Sequence, residues 1–285
     1  MRTFAFAGAL VGLTALSAPA QDAVTIKIAK LVAGDRVKVT KNEKMTSKID
    51  FTAGGNTNTK DDVEAKSIVY TDVVITANDA VGKPLKLKRT YEKYEVTKGG
   101  KAADGPPLNA AILIEKKNGK YTATAEQPLD PAFSAKLTAE FDRDGGMGIE
   151  RLLPGKPVKP GDTWKVDVSK LPGISGDGLA IDADKSELTG KLVKTFEKGG
   201  KQVGVLEYTG TIALKSLGAK SPVKLKDGSV MKLKMTGEAC IDGTDPTNRM
   251  TGTLAIKMEG EGGGVTLSLT ADGTIASSEE LLPKK

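Results

Sequence analysis

The chain has no histidine, and this absence removes more chemistry than any motif in it supplies. Without imidazole there is no Ser-His-Asp or Cys-His catalysis, no histidine-ligated zinc, and no imidazole acid–base group near neutral pH. Cysteine is limited to Cys240, which can form neither an intramolecular disulfide nor a thiolate metal site. Aromatic residues make up only 4% of the sequence, and Trp164 is the one tryptophan. Sugar platforms and base-stacking surfaces both draw on aromatics, so neither class is favoured. The charge excess is a modest +6, with lysines scattered among acids as in Glu115-Lys116-Lys117, and no basic stripe for nucleic acid emerges. The glycine-rich run 260–264 lacks a following Lys-Ser/Thr pair and a helix, so it is no phosphate loop. No catalytic residue, metal ligand or cofactor site is assigned on these grounds.

What is present begins with an export signal. Arg2 is the charged start, Phe4 to Leu16 is an apolar run broken only by Gly and Thr, and Ala18-Pro19-Ala20 is a small-residue cleavage site. The run is shorter than the ~20 residues a spanning helix needs, so residues 1–20 are expected to be removed. No cysteine follows the site to carry a lipid, and no later apolar run is long enough to span a bilayer. The expected mature chain starts at Gln21, carries a net charge of +5 after loss of Arg2, and is exported to the periplasm or the exterior. At this length one or two domains with a sizeable core are expected.

Strand periodicity dominates the rest. Val24 to Ala29 alternates, as does the stretch containing Val37 and Val39, and Met45 to Phe51 is a third short strand. Thr52 to Asp62, polar and rich in Gly and Asn, reads as an exposed loop. Val63 to Thr76 and Leu85 to Thr97 are β-branched runs separated by a turn region at 78–82. Gly99 to Pro107 is a loop. Ile112 to Ala125 is a hairpin about Asn118-Gly119. One helix is predicted, with Asp130 as cap, Pro131 at its first position, Phe133, Leu137 and Phe141 on one face, and Gly145-Gly146 beyond it.

A stiff connector follows, in which three prolines exclude helix and central strand before Gly161-Asp162 turns the chain and Trp164 opens a strand. Trp164 is expected in the core. The segment Leu153-Pro154-x-Lys156-Pro157-Val158-x-x-Gly161-Asp162-x-Trp164 resembles a signature of uncharacterised secreted β-rich bacterial proteins. That resemblance implies a β-rich exported fold and no activity.

The Gly-, Asp- and Ser-rich stretch 170–184 is read as a boundary. Beyond it, Leu188 to Glu197, Gln202 to Leu214, Val230 to Ile241, Arg249 to Glu259 and the run from Val265 alternate cleanly, with Asp242-Gly243, the run 262–264 and Asp272-Gly273 read as punctuation. Alternation means one buried and one wet face, the antiparallel case. The predicted fold class is all-β: an antiparallel, curved sheet, half-barrel or meander in two consecutive parts, residues 21–169 and 185–285, with one short helix near 130–142.

The leading functional reading is a secreted or periplasmic non-enzymatic protein that binds an apolar ligand or partner on its curved sheet. Its candidate face is Met231, Leu233 and Met235 on one strand and Met250, Leu254, Ile256 and Met258 on the next, because flexible Met suits a surface that repacks. The alternative is a structural or surface-associated envelope protein with a closed core. A remote third reading is a carboxylate hydrolase using Asp142/Asp144 or Asp182/Asp184. Asp182-x-Asp184-x-Ser186 imitates the start of a calcium loop, but Glu187 stands where glycine is required. Cys240 reads as a small apolar residue tucked under a turn.

Overall fold

The protein's computed structural model describes residues 22–77, 84–142, 149–170, 179–217 and 221–284. Its strands are β1 (Arg36–Ala53), β2 (Asn56–Thr76), β3 (Lys86–Lys98), β4 (Lys101–Ala102), β5 (Ala111–Lys117), β6 (Lys120–Ala125), β7 (Thr163–Lys165), β8 (Ala180–Lys198), β9 (Lys201–Ser216), β10 (Lys224–Leu225), β11 (Val230–Cys240), β12 (Asn248–Gly262) and β13 (Val265–Leu282). The α-helix, α1, spans Pro131–Asp142, and single 3₁₀ turns lie at Ile149–Leu152 and Val168–Lys170. The strands form one curved antiparallel sheet in the order β6-β5-β3-β2-β1-β13-β12-β9-β8-β7, with β10 and β11 in turn between β12 and β9, and β4 beside β3.

The sheet's two ends are covered differently. Over β1 to β6 lies α1, whose Phe133, Leu137 and Phe141 meet Val37, Val39, Tyr70, Leu87, Tyr91, Ile112, Ile114 and Tyr121. The helix starts as predicted, with Phe133 N–H donating to Asp130 Oδ1 at 2.8 Å. Over β8, β9 and β11 lies the connector, which presses Leu152, Val158, Trp164, Val166 and Val168 onto Leu188, Leu192, Leu206, Tyr208, Ile212, Met231, Leu233 and Met235. Trp164 is the middle residue of β7 and is 7% exposed, and its indole N–H donates to the Leu152 carbonyl at 2.6 Å. Gly190 makes the space, since a Cβ there would stand 2.5 Å from Trp164 Cζ2.

Several stretches differ from their sequence reading. Residues 24–29 form a strap, not a strand. Val24 exchanges backbone hydrogen bonds with Val158, and Lys27 N–H donates to the Ile241 carbonyl, so the strap bridges connector and sheet edge. The polar stretch 52–62 is a hairpin: it turns at Gly54-Gly55, both at positive φ, and β2 begins at Asn56. β1 is one continuous 18-residue strand where two were expected, because partners on both sides, β2 and β13, hold it. For the same reason Asp272-Gly273 interrupts nothing and lies mid-strand in β13. The tail of the 170–184 boundary stretch is the start of β8. Asn118-Gly119 makes the expected turn, with φ of 50° and 85°. Residues 21–169 and 185–285 join through β1 and β13, paired over their whole length from Arg36–Leu282 to Ala53–Val265. The expected signal segment 1–20, the turn at 78–82, Gly145-Gly146 and Asp144 lie wholly or largely outside the described residues.

Candidate functional site

Register places the predicted apolar residues on one face. Met231, Leu233 and Met235 stand opposite Ile256, Leu254 and Gly252. Met250 and Met258 continue that face along β12, opposite Ser277 and Leu269 of β13. The side facing the covers therefore holds all seven. Met231, Leu233, Met235 and Met258 are 8–9% exposed and belong to the covered core. Met250, Leu254 and Ile256 are half-buried and pack against its margin.

Their neighbours extend the face where neither cover reaches. Met45, Ser47 and Ile49 of β1 pair with Gly273, Ala271 and Leu269, and Ile275 pairs with Gly252. Along β1 and β12 these inward residues are half-buried while most of their outward neighbours are exposed, the pattern of a concave surface open between two roofs.

A line of glycines crosses this surface. Gly204 on β9 is level with Ala239, two residues from Gly237; Gly237 is level with Met250, two residues from Gly252; Gly252 is level with Ile275, two residues from Gly273. The line thus advances one residue pair per strand. Each notch holds a neighbour's side chain. Ile241 Cγ2 would stand 2.9 Å from a Cβ on Gly204, Met235 Cγ 2.8 Å from one on Gly252, and Met45 Cε 3.5 Å from one on Gly273, while Met250 Sδ occupies the notch of Gly237. Flexible, unbranched thioether chains fill the notches of Gly237, Gly252 and Gly273, and Ile241 fills that of Gly204. Met45 joins the set through the pairing of β1 with β13, which local periodicity does not reveal.

Beside Met235 stands Tyr208. It is fully buried, and its hydroxyl has no hydrogen-bond partner among the described residues. Burial pushes the phenol well above its ordinary pKa. An unpaired buried hydroxyl costs about 1–3 kcal/mol.

At the α1 end the face carries charge. Arg89 lies inward between Leu87 and Tyr91 and gives one 2.8 Å bond from Nε and one from Nη2 to the two oxygens of Asp72. Its Nη1 reaches the Glu140 oxygens at 3.4 and 3.5 Å, and the guanidinium lies 3.8 Å from the Tyr70 ring centroid. Lys41 contacts Glu140 at 3.4 Å. Burial disfavours the charged forms, but Tyr70 and Glu140 outweigh it and hold Lys41 above the usual lysine value. Burial likewise opposes the Glu140 carboxylate, and Arg89 and Lys41 overcome it, leaving Glu140 below the usual range. Further along, Lys66 is held by Glu43 at 2.9 Å and Glu64 at 3.2 Å. Arg89 and Asp72 were legible as polar residues at inward parity in otherwise apolar alternation.

Elsewhere, a depression of about 490 Å³ on the outer face is lined by Thr189, Thr209, Thr211, Thr253, Lys232 and Lys234. Another of about 540 Å³ lies at the strand ends near Lys201, Asp245, Asn248 and Arg249. Lys201 pairs with Asp245 there. Cys240 is buried at the end of β11, and its thiol donates to Asp242 at 3.1 Å. Asp182 and Asp184 lie within β8, where Ser186 donates to the Asp182 carbonyl, and Asp142 accepts from Tyr121 N–H at 2.9 Å. Among the described residues no cluster of three or more His, Cys, Asp or Glu could hold a metal ion, and no helix is long and apolar enough to cross a membrane.

No protein-family model and no curated protein matches the chain. Among solved structures, an outer membrane channel from Pseudomonas putida F1 is similar over 89% of this chain and 97% of that one, at 12% identity and a TM-score of 0.22. Ail, the attachment invasion locus protein of Yersinia pestis, is similar over 85% and 98%, at 6% identity and a TM-score of 0.14. TM-scores of this size do not extend to a common fold.

Proposed function

We propose that the chain is an exported, non-enzymatic β protein of the bacterial envelope, serving as a structural or surface-associated body with closed cores at both ends of its sheet. The observation that supports this reading is the burial of Met231, Leu233, Met235 and Met258 at 8–9% exposure beneath the protein's own connector. The export features of residues 1–20, the lack of histidine, and the resemblance of the 153–164 segment to secreted β-rich proteins point the same way. Cell fractionation with N-terminal sequencing tests it. Protein beginning at Gln21 outside the cytoplasm is expected, and cytosolic protein with Met1 intact would overturn it.

A second reading, binding of an apolar ligand, is favoured by one observation. Met250, Leu254 and Ile256 are only half-buried at the margin of the connector-covered core, and the face continues from them to Ile275 and Met45, which belong to neither buried cluster. A naphthalene-sulfonate dye is then expected to bind the native protein saturably. Leu254→Lys should abolish binding without unfolding the protein, whereas Met231→Lys should unfold it. Absence of dye binding to the native protein would remove this reading and leave the first.

A further inference from the structure

We propose that the glycine diagonal is the floor of a site for a linear alkyl chain carrying one neutral oxygen, with Met45, Met235 and Met250 as its movable filling and the Tyr208 hydroxyl as its polar anchor. This rests on the second reading above and names the class of ligand.

The floor is the first argument. Gly237, Gly252 and Gly273 remove a Cβ at successive steps across three neighbouring strands, so the furrow runs obliquely over β11, β12 and β13. With strands about 4.8 Å apart and a rise of about 3.4 Å per residue, each step spans about 8 Å, which makes the furrow long and narrow. That shape takes an extended chain and excludes a fused-ring or branched ligand.

The filling is the second. The side chains in these notches are methionines, while Leu233, Leu254, Ile256 and Leu269 flank them. Thioether side chains have three soft torsions and swing aside without disturbing the backbone. Met250 borders the open stretch, so displacement starts there and passes to Met235, which lies one strand further in.

The third argument is Tyr208. It stands in register with Met235, is completely buried, and its hydroxyl has no partner among the described residues. A ligand oxygen arriving where Met235 now lies would accept that hydroxyl's hydrogen bond. Charge decides what kind of oxygen. The cations on the inner face near the furrow are engaged, Lys41 by Glu140 and Lys66 by Glu43 and Glu64. Among the described residues Lys41 and Lys66 are thus already neutralised by carboxylates, so a neutral alcohol or ester oxygen matches the site better than a carboxylate or phosphate.

The test uses the full folded protein labelled at methionine methyl carbons, with resonances assigned through single Met→Leu variants, and 1-dodecanol as the probe. The Met45, Met235 and Met250 methyl signals are expected to shift saturably, while those of Met231 and Met258 stay in place. Dodecanoate should bind more weakly than dodecanol. Tyr208→Phe should weaken dodecanol about 3- to 10-fold, the value of one hydrogen bond, and leave naphthalene-sulfonate binding unchanged. Because Tyr208→Phe deletes an unpaired hydroxyl, it should keep or raise the stability of the free protein, so a loss of affinity cannot be put down to unfolding. Saturable dye binding with no dodecanol-induced shift at the three methyls, or an unaltered dodecanol affinity in Tyr208→Phe, would overturn this site and leave the open-face reading standing. No binding of either probe would overturn both.

Discussion

Arg89 and Asp72 form a two-pronged ion pair, 2.8 Å on each prong, between neighbouring strands β3 and β2 and beneath α1. Arg89 is 3% exposed and Asp72 is 8% exposed. Removing one partner strands a buried charge, which costs about 3–5 kcal/mol, whereas replacing both with apolar groups of similar size costs far less. Asp72→Ala is therefore expected to lower stability by about that amount, and Asp72→Ala combined with Arg89→Met to recover most of it. Urea unfolding of the three proteins checks this, and a double variant no better than Asp72→Ala would refute it.

Two groups of the same cluster predict opposite pH limits. Burial, against the pull of Arg89 and Lys41, raises Tyr70 from 10.0 to about 12, so the neutral phenol is favoured in the fold. Its contribution is complete below pH 10 and is lost as pH climbs toward 12. Glu140 is lowered from 4.5, so its contribution is present above pH 4.5 and is lost as pH falls through its folded value. Tyr70→Phe should flatten the alkaline limb of a stability–pH curve, and Glu140→Gln the acid limb. Unchanged limbs in both variants would contradict the assignment.

Trp164 and Gly190 should behave as one unit. Trp164→Ala removes a large core aromatic at a cost of about 3–5 kcal/mol. Gly190→Ala drives a methyl into the indole ring and is expected to cost about 1–3 kcal/mol as overpacking. Native tryptophan emission should be blue-shifted and poorly quenched by iodide, and Gly190→Ala should move it. Red emission with easy quenching in the unaltered protein would show that the indole is not where the core places it.

The diagonal glycines rank by the space each leaves. At Gly252 a Cβ meets the Lys234 carbonyl at 2.7 Å and Met235 Cγ at 2.8 Å; at Gly273 the nearest atoms are Lys44 O at 3.1 Å and Met45 Cε at 3.5 Å. Gly252→Ala should therefore lower the thermal midpoint more than Gly273→Ala. The reverse order would argue against the furrow as described.

Local patterns announced local structure well. The Asp130-Pro131 start and the spacing of Phe133, Leu137 and Phe141 identified the helix, Asn118-Gly119 the hairpin, and the alternation from Met231 to Met258 both the shared face and the β11–β12 pairing. The misread stretches are those where long-range pairing overrides local preference. Thr57, Asp61 and Asp62 look like loop residues but lie in β2 because β1 pairs with them along their whole length. Asp272-Gly273 looks like a turn but is held in β13 between β1 and β12. The candidate face was legible on β11 and β12. The roofs over it, Met45 and the unpaired Tyr208 hydroxyl were not, because each depends on which distant segments meet.

The continuous pairing of β1 with β13 also fixes an order of events during folding. Arg36 must find Leu282, so the two strands at the middle of the sheet are the first and the last of the described strands in chain order. Contacts of such sequence separation carry a large loop-closure cost and are made late. Until then β1 presents an 18-residue edge with unpaired backbone donors and acceptors, open to pairing with another chain. A nascent chain halted before Val265 therefore has its most adhesive surface at what will become its centre. Holding such a chain unfolded until β13 has emerged keeps that edge from pairing wrongly.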